Sequence, residues 1–187
     1  MKKISLLLFI LLPAFLLGQN RKDDAVARIK ALKEGALLVR LKSGGLQKTA
    51  LEQLGDAKAL GAYSKKLEEE NSSVVNAFRH FTFCPVYFFY SSSSENIRHK
   101  NLKGALLNAQ LQPDSTLSPS LPVFLTAEFG FSDKQQIEGL LLLDDQFNPL
   151  PAPFPYLIRK FESPVKKRSQ AEMVEVLDKK LKSLSEE

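Results

Sequence analysis

Residues 56–90 read DAKALGAYSKKLEEENSSVVNAFRHFTFCPVYFFY, and the change of period inside this stretch decides the fold class. Leu60, Leu67, Val74 and Phe81 recur at intervals of seven, with Tyr63 and Phe78 between them and Lys65, Lys66, Glu68 and Glu69 on other faces. A stripe of that kind predicts one long helix from Asp56 to Phe81 laid on a core, with Asn71 and Asn76 as polar interruptions near it. Val86–Tyr90 then packs β-branched and aromatic residues into a run too short for a helix. Apolar residues on both alternating faces predict a central strand, and Pro85 suits its start, where a missing N–H does least harm.

The pattern extends in both directions. Upstream, Asp23 and Asp24 open a short amphipathic helix through Val26, Ile29 and Leu32, which Gly35 can end as a left-handed cap. Ala36–Leu41 is a compact apolar run broken by Arg40 and reads as a buried strand; Ser43–Gly45 turns the chain into a helical piece over Leu46–Leu54. Downstream, Glu95–Asn101 predicts a short helix, and Ala105–Ala109, Val123–Phe129 and Gly139–Leu143 predict strands. Pro149, Pro151, Pro153 and Pro155 force an extended path without a regular ladder. Tyr156–Phe161 is expected as an edge strand, and Ser169–Leu184 as a terminal helix with Val174, Leu177, Leu181 and Leu184 inward.

Helices between the early strands predict parallel pairings, and short links between the later ones predict antiparallel pairings. The expectation is an α/β fold: a mixed central sheet with helices on both faces. Its element order resembles a thioredoxin-like fold with an extra strand around Ala105, and a flavodoxin-like three-layer sandwich is the alternative. The likeness is one of element order alone, and a fold does not fix a function.

The N-terminus predicts export. Lys2 and Lys3 precede Ile4–Leu17, an apolar run broken only by Ser5 and Pro13, and small Gly18 precedes the polar Gln19–Asp24. This is the order of a cleaved signal peptide over residues 1–18. As a helix the run would measure about 21 Å, short of a ~30 Å hydrocarbon core, and Pro13 would disturb it. Residues 19–187 are then expected as one globular domain in the periplasm or outside the cell, with no membrane anchor after cleavage.

Composition narrows the function classes. Lys2 and Lys3 account for two of the net +5 charges, and the remainder is too mild and dispersed for a nucleic-acid partner. Lys166, Lys167, Arg168, Lys179, Lys180 and Lys182 read as solvated positions. Cys84 is the single cysteine, so no internal disulfide can form. With His80 and His99 the only histidines, neither a metal site nor a cofactor is expected. Gly-rich phosphate cradles, Gly-x-Ser-x-Gly elbows and His-Glu-x-x-His segments are missing from the sequence.

Three groups of residues merit testing as sites. Cys84 with His80 four residues earlier is a thiol–imidazole candidate for catalysis; a buried, inert thiol is the ordinary outcome beside Phe83 and Pro85. Ser91, Ser92, Ser93 and Ser94 with Asn96 and Arg98 could hold an anion beyond a strand's carboxyl end, or simply cap a helix. Asp144 and Asp145, with Glu128 in another strand, could bind metal or move protons, although Asp-Asp-Gln-Phe-Asn-Pro has the chemistry of a turn. The function expected on this basis is a non-catalytic exported domain that binds a protein or small-molecule ligand. The alternative is an enzyme with a site assembled near Ser91–Ser94.

Overall fold

The computed structural model describes residues 23–117, 119, 121, 123–132, 136–152, 154–163 and 165–186. The predicted leader over residues 1–18 lies outside them. Residues 23–33 are helical, here α1. Then follow β1 (Ala36–Leu41), α2 (Gly45–Gln53), α3 (Ala57–Ala77), β2 (Val86–Tyr90), α4 (Ser94–Arg98), β3 (Phe124–Phe131), β4 (Glu138–Leu143), β5 (Leu157–Arg159), β6 (Phe161–Ser163), β7 (Lys166–Lys167) and α5 (Gln170–Ser185). Short 3-10 turns at Phe78–His80 and Ser91–Ser93 complete the series.

The five-stranded sheet has the order β2-β1-β3-β4-β5. β1 pairs in parallel with β2 and β3, whereas β3–β4 and β4–β5 are antiparallel, as the spacing of helices predicts. From β1 the chain crosses to one side through α2 and α3, and from β2 it crosses back past β1 through α4. Right-handed crossovers in opposite lateral directions place their helices on opposite faces. The core divides accordingly. Leu37 and Val39 of β1 face a cluster with Ile29, Phe78, Met173, Leu177 and Leu181, supplied by α1, the end of α3 and α5. Ala36 and Leu38 face a second cluster with Phe89, Ile97, Leu102 and Leu106, supplied by α4 and the segment after it.

Four expectations need correcting. β2 lies at the sheet edge, and β1 is interior. The apolar residues on both faces of β2 report that both faces are covered; they carry no information about lateral neighbours. The strand expected at Ala105–Ala109 reduces to a bridge between Leu106 and Phe89, with the Leu107 amide donating to the Phe88 carbonyl at 2.9 Å. Gly35 does not adopt a left-handed cap, because its φ is outside the positive set. Its glycine is required by close approach, since a Cβ there would collide with the Val123 carbonyl oxygen. The long helix also ends sooner than its stripe, at Ala77, and Phe78 to Phe81 continue the buried line through a tighter turn.

Helix α5 is fastened at both ends of its buried face. Ser169 and Glu172 form a reciprocal capping box, with the Glu172 amide donating to Ser169 Oγ at 3.2 Å. Further along, buried Asp178 accepts from the amides of Thr82 (3.0 Å) and Phe83 (2.9 Å) and from Lys182 Nζ at 2.5 Å. These bonds hold the turn that feeds β2. Burial pushes the Asp178 carboxyl up, but Lys182 and the two amides outweigh it, leaving its pKa below the usual carboxylate value.

A carboxyl whose pKa is lowered on folding contributes fully above its unfolded pKa and loses that contribution as pH falls through the folded value. Asp178→Ala strands two amides and should cost about 2–4 kcal/mol in urea unfolding at neutral pH. The difference from the parent chain should shrink as pH drops below about 4. A difference that stays constant through that range would show that the ionised carboxylate is not what holds the turn.

Candidate functional site

The site forms where β1 and β2 run out of the sheet. Leu41 is the last residue of β1 paired with β2, opposite Tyr90. The next peptide groups are satisfied by side chains. Lys42 donates its amide to Asn71 Oδ1 at 3.0 Å and accepts from Asn71 Nδ2 at 2.9 Å, while the Ser43 amide donates to Ser91 Oγ at 3.1 Å. The Ser43 and Ser91 hydroxyls lie 2.9 Å apart, and Ser94 Oγ donates to the Ser91 carbonyl at 2.7 Å. Tyr90 donates its hydroxyl to the Leu111 carbonyl at 3.0 Å, pinning the 109–112 segment across from α3. Burial, followed by the charge of Glu68, raises the Tyr90 pKa, so the phenol remains a donor.

Between α3 and that segment lies a cavity of about 670 Å3. Lys48, Ser64, Glu68, Ser92, Gln110 and Gln112 are among the residues lining it. None of these six side chains has a hydrogen-bond or ion-pair partner among the described residues. A second cavity, about 440 Å3, opens beyond β1 and β3, where the two crossovers diverge. Two lysines on its wall are already matched: Lys42 with Glu70 at 2.8 Å, and Lys160 with Glu138. Its hydrogen bond to Lys42 keeps the Glu70 carboxyl below its usual pKa. The first cavity therefore has more polar capacity left for a guest, although the second occupies the usual position in such sheets. Asn71 lines both.

The sequence candidates separate. Ser92 faces the first cavity, whereas Ser91 and Ser94 are committed to backbone and hydroxyl bonds, and Ser93 stands at the start of α4 without a side-chain cap bond. Asn96 is exposed. Arg98 pairs with Glu95 at 3.2 Å and lies 5.1 Å from the Phe147 ring centre, outside the wall of either cavity. Arg40 approaches the same ring at 5.2 Å and pairs with Glu128 at 3.0 Å. An arginine is tolerated in the interior strand because an aromatic face and a carboxylate meet it at the strand's end.

Cys84 and His80 are not brought together: Cys84 is buried, His80 is exposed, and no hydrogen bond joins them among the described residues. Burial pushes the thiol up to about 12, against the lowering effect of a hydrogen bond from the Leu37 backbone, with the Asp178 charge adding to the rise. Asp144 forms the turn that its neighbours predict, with Oδ1 accepting from the amides of Gln146 (2.9 Å) and Asn148 (2.8 Å). Asp145 pairs with Lys100 at 3.0 Å. Among the described residues no three His, Cys, Asp or Glu side chains gather as a metal site. No protein-family description, curated protein or solved structure matches this chain.

A thiol held protonated in a packed core should be inert. Iodoacetamide at pH 8 should leave Cys84 unmodified in the native protein and alkylate it fully in denaturant, read by intact mass. Rapid native labelling would mean that the thiol is accessible and ionised.

Proposed function

We propose that the chain is an exported, non-catalytic binding domain that holds a small polar ligand in the cavity beyond β1 and β2. The observation that carries this reading is the convergence there of uncommitted donors and acceptors: two carboxamides (Gln110, Gln112), two hydroxyls (Ser64, Ser92), one ammonium (Lys48) and one carboxylate (Glu68). These side chains are exposed or half-buried and meet water in the free chain, so a guest in the concavity can exchange for that water without breaking any bond within the protein. The mixture of neutral hydrogen-bonding groups with one charge of each sign suits a polyhydroxylated or zwitterionic molecule. Export is supported by the basic, apolar and small-residue order of Lys2–Gly18.

A second reading, an enzyme centred near Ser91–Ser94, draws on one observation: Ser92 and Glu68 share the cavity wall. The two readings part on whether the guest is retained or turned over.

The test is titration of the chain with a panel of neutral sugars, sugar acids and amino acids, followed by amide chemical shifts and product analysis. The expected result is saturable shifts at Lys48, Ser64, Glu68, Ser92 and Gln112 with no product. Ser64→Leu, which fills the cavity, should weaken binding at least tenfold, equivalent to about 1.4 kcal/mol. Shifts that map elsewhere, or an unchanged affinity in Ser64→Leu, would remove the cavity from the account; product release would favour the enzyme.

A further inference from the structure

β1, β3 and β5 run in one direction, so their carboxyl ends and the start of β4 share one end of the sheet. The exposed large apolar side chains are concentrated there. Phe131, 59% exposed, ends β3; Leu46 and Leu54 lie on and just after α2, the helix entered directly from β1. From the end of β5 the chain leaves the sheet as a ribbon in which β6 and β7 pair only with each other. Phe161 on that ribbon is 52% exposed, and Val165 in its connecting turn is 96% exposed. Val123, 37% exposed, is the one such residue at the opposite end among the described residues.

The ribbon is also basic. Lys160, Lys166, Lys167 and Arg168 stand against a single carboxylate, Glu162, within residues 160–168, and Arg159 ends the strand that leads into it. Glu162 is shared by Lys166 (2.8 Å) and Arg168 (3.3 Å), and Lys160 is matched by Glu138. Arg159 and Lys167 have no carboxylate partner among the described residues.

We propose that the β6–β7 ribbon is a docking element for an anionic lipid surface, with Val165 at its tip entering the acyl boundary and Lys166 and Lys167, directly behind it, meeting the headgroup phosphates. The order of the chemistry favours this occupant over a protein patch. An apolar residue leads at the tip and cations follow one or two residues behind, which matches hydrocarbon lying beneath a layer of negative charge. A flat apolar protein surface would pair with the tip but leave the cations without partners. The association is peripheral and reversible: among the described residues no helix is long and apolar enough to cross a membrane. It uses residues distinct from those of the polar cavity, so either proposal can fail without the other.

The test is co-sedimentation of the chain lacking residues 1–18 with vesicles of phosphatidylcholine, with and without phosphatidylglycerol, at low and high salt. Binding is expected on the anionic vesicles alone and should weaken as salt rises. Val165→Asp should weaken it about tenfold and Lys167→Gln about fivefold, while Val123→Asp, at the far end, binds as the parent chain does. Circular dichroism controls for folding, which a substitution at so exposed a turn should leave intact. No sedimentation with anionic vesicles, equal sedimentation with neutral ones, or an undiminished Val165→Asp would overturn the proposal.

Discussion

Where β1 leaves the sheet, the peptide groups of Lys42 lose their strand neighbours, and the carboxamide of Asn71 replaces both partners at once. A side-chain amide can do this because it carries a donor and an acceptor in the same geometry as a backbone peptide. The group is 4% exposed, so water cannot substitute for it, and each unpaired group would cost about 1–3 kcal/mol. The bond pair fixes the height of α3 relative to β1. Residues after Asn71 run back over the sheet toward Phe78, which meets Phe88 and Phe129 edge to face.

The longer part of α3, before Asn71, then has no sheet beneath it. Fourteen residues separate Ala57 from Asn71, about 21 Å of helix at ~1.5 Å per residue, and Leu67 and Asn71 are its buried positions in the first two-thirds. This overhang forms one wall of the larger cavity, and the 109–112 segment held by Tyr90 forms the other. The arrangement separates two tasks. Burial of Leu37, Val39, Met173, Leu177 and their neighbours stabilises the sheet and its helices, at about 1.5–3 kcal/mol for each large side chain. Polar clamps at Asn71, Ser91 and Asp178 then decide where the segments lie as they leave that core.

The sequence was most legible where period and burial coincide. Leu60, Leu67 and Val74 mark α3, Val174, Leu177 and Leu181 mark α5, and the mixture of parallel and antiparallel pairings follows from which links contain helices. Lateral order was not legible: β2 is apolar on both faces because helices and the 102–107 segment cover it, and nothing in its residues records that one edge lacks a strand. The β6–β7 ribbon was hidden for a similar reason, since Tyr156–Phe161 has the composition of one strand and nothing in it marks the bend at Lys160 where the chain leaves the sheet. The site was legible only in part. Ser92 is on the cavity and Arg98 is not, because a five-residue helix turns Arg98 toward Phe147. Lys48, Glu68, Gln110 and Gln112 gave no signal, as they are ordinary surface residues until the overhang and the Tyr90 bond bring them together. Asn71 left one trace, a carboxamide four residues after Leu67 on an apolar stripe.

Native-state hydrogen exchange at the Lys42 amide, compared between the parent chain and Asn71→Ala, tests the clamp most directly. Loss of the carboxamide should drop Lys42 to the protection of an exposed loop and speed exchange along residues 63–68, while Leu38 in the middle of β1 speeds only in step with a global loss of about 2–3 kcal/mol of protection. If Lys42 instead keeps its protection relative to Leu38 in the variant, the end of β1 is held by something other than Asn71, and the overhanging helix and its cavity would need a different foundation.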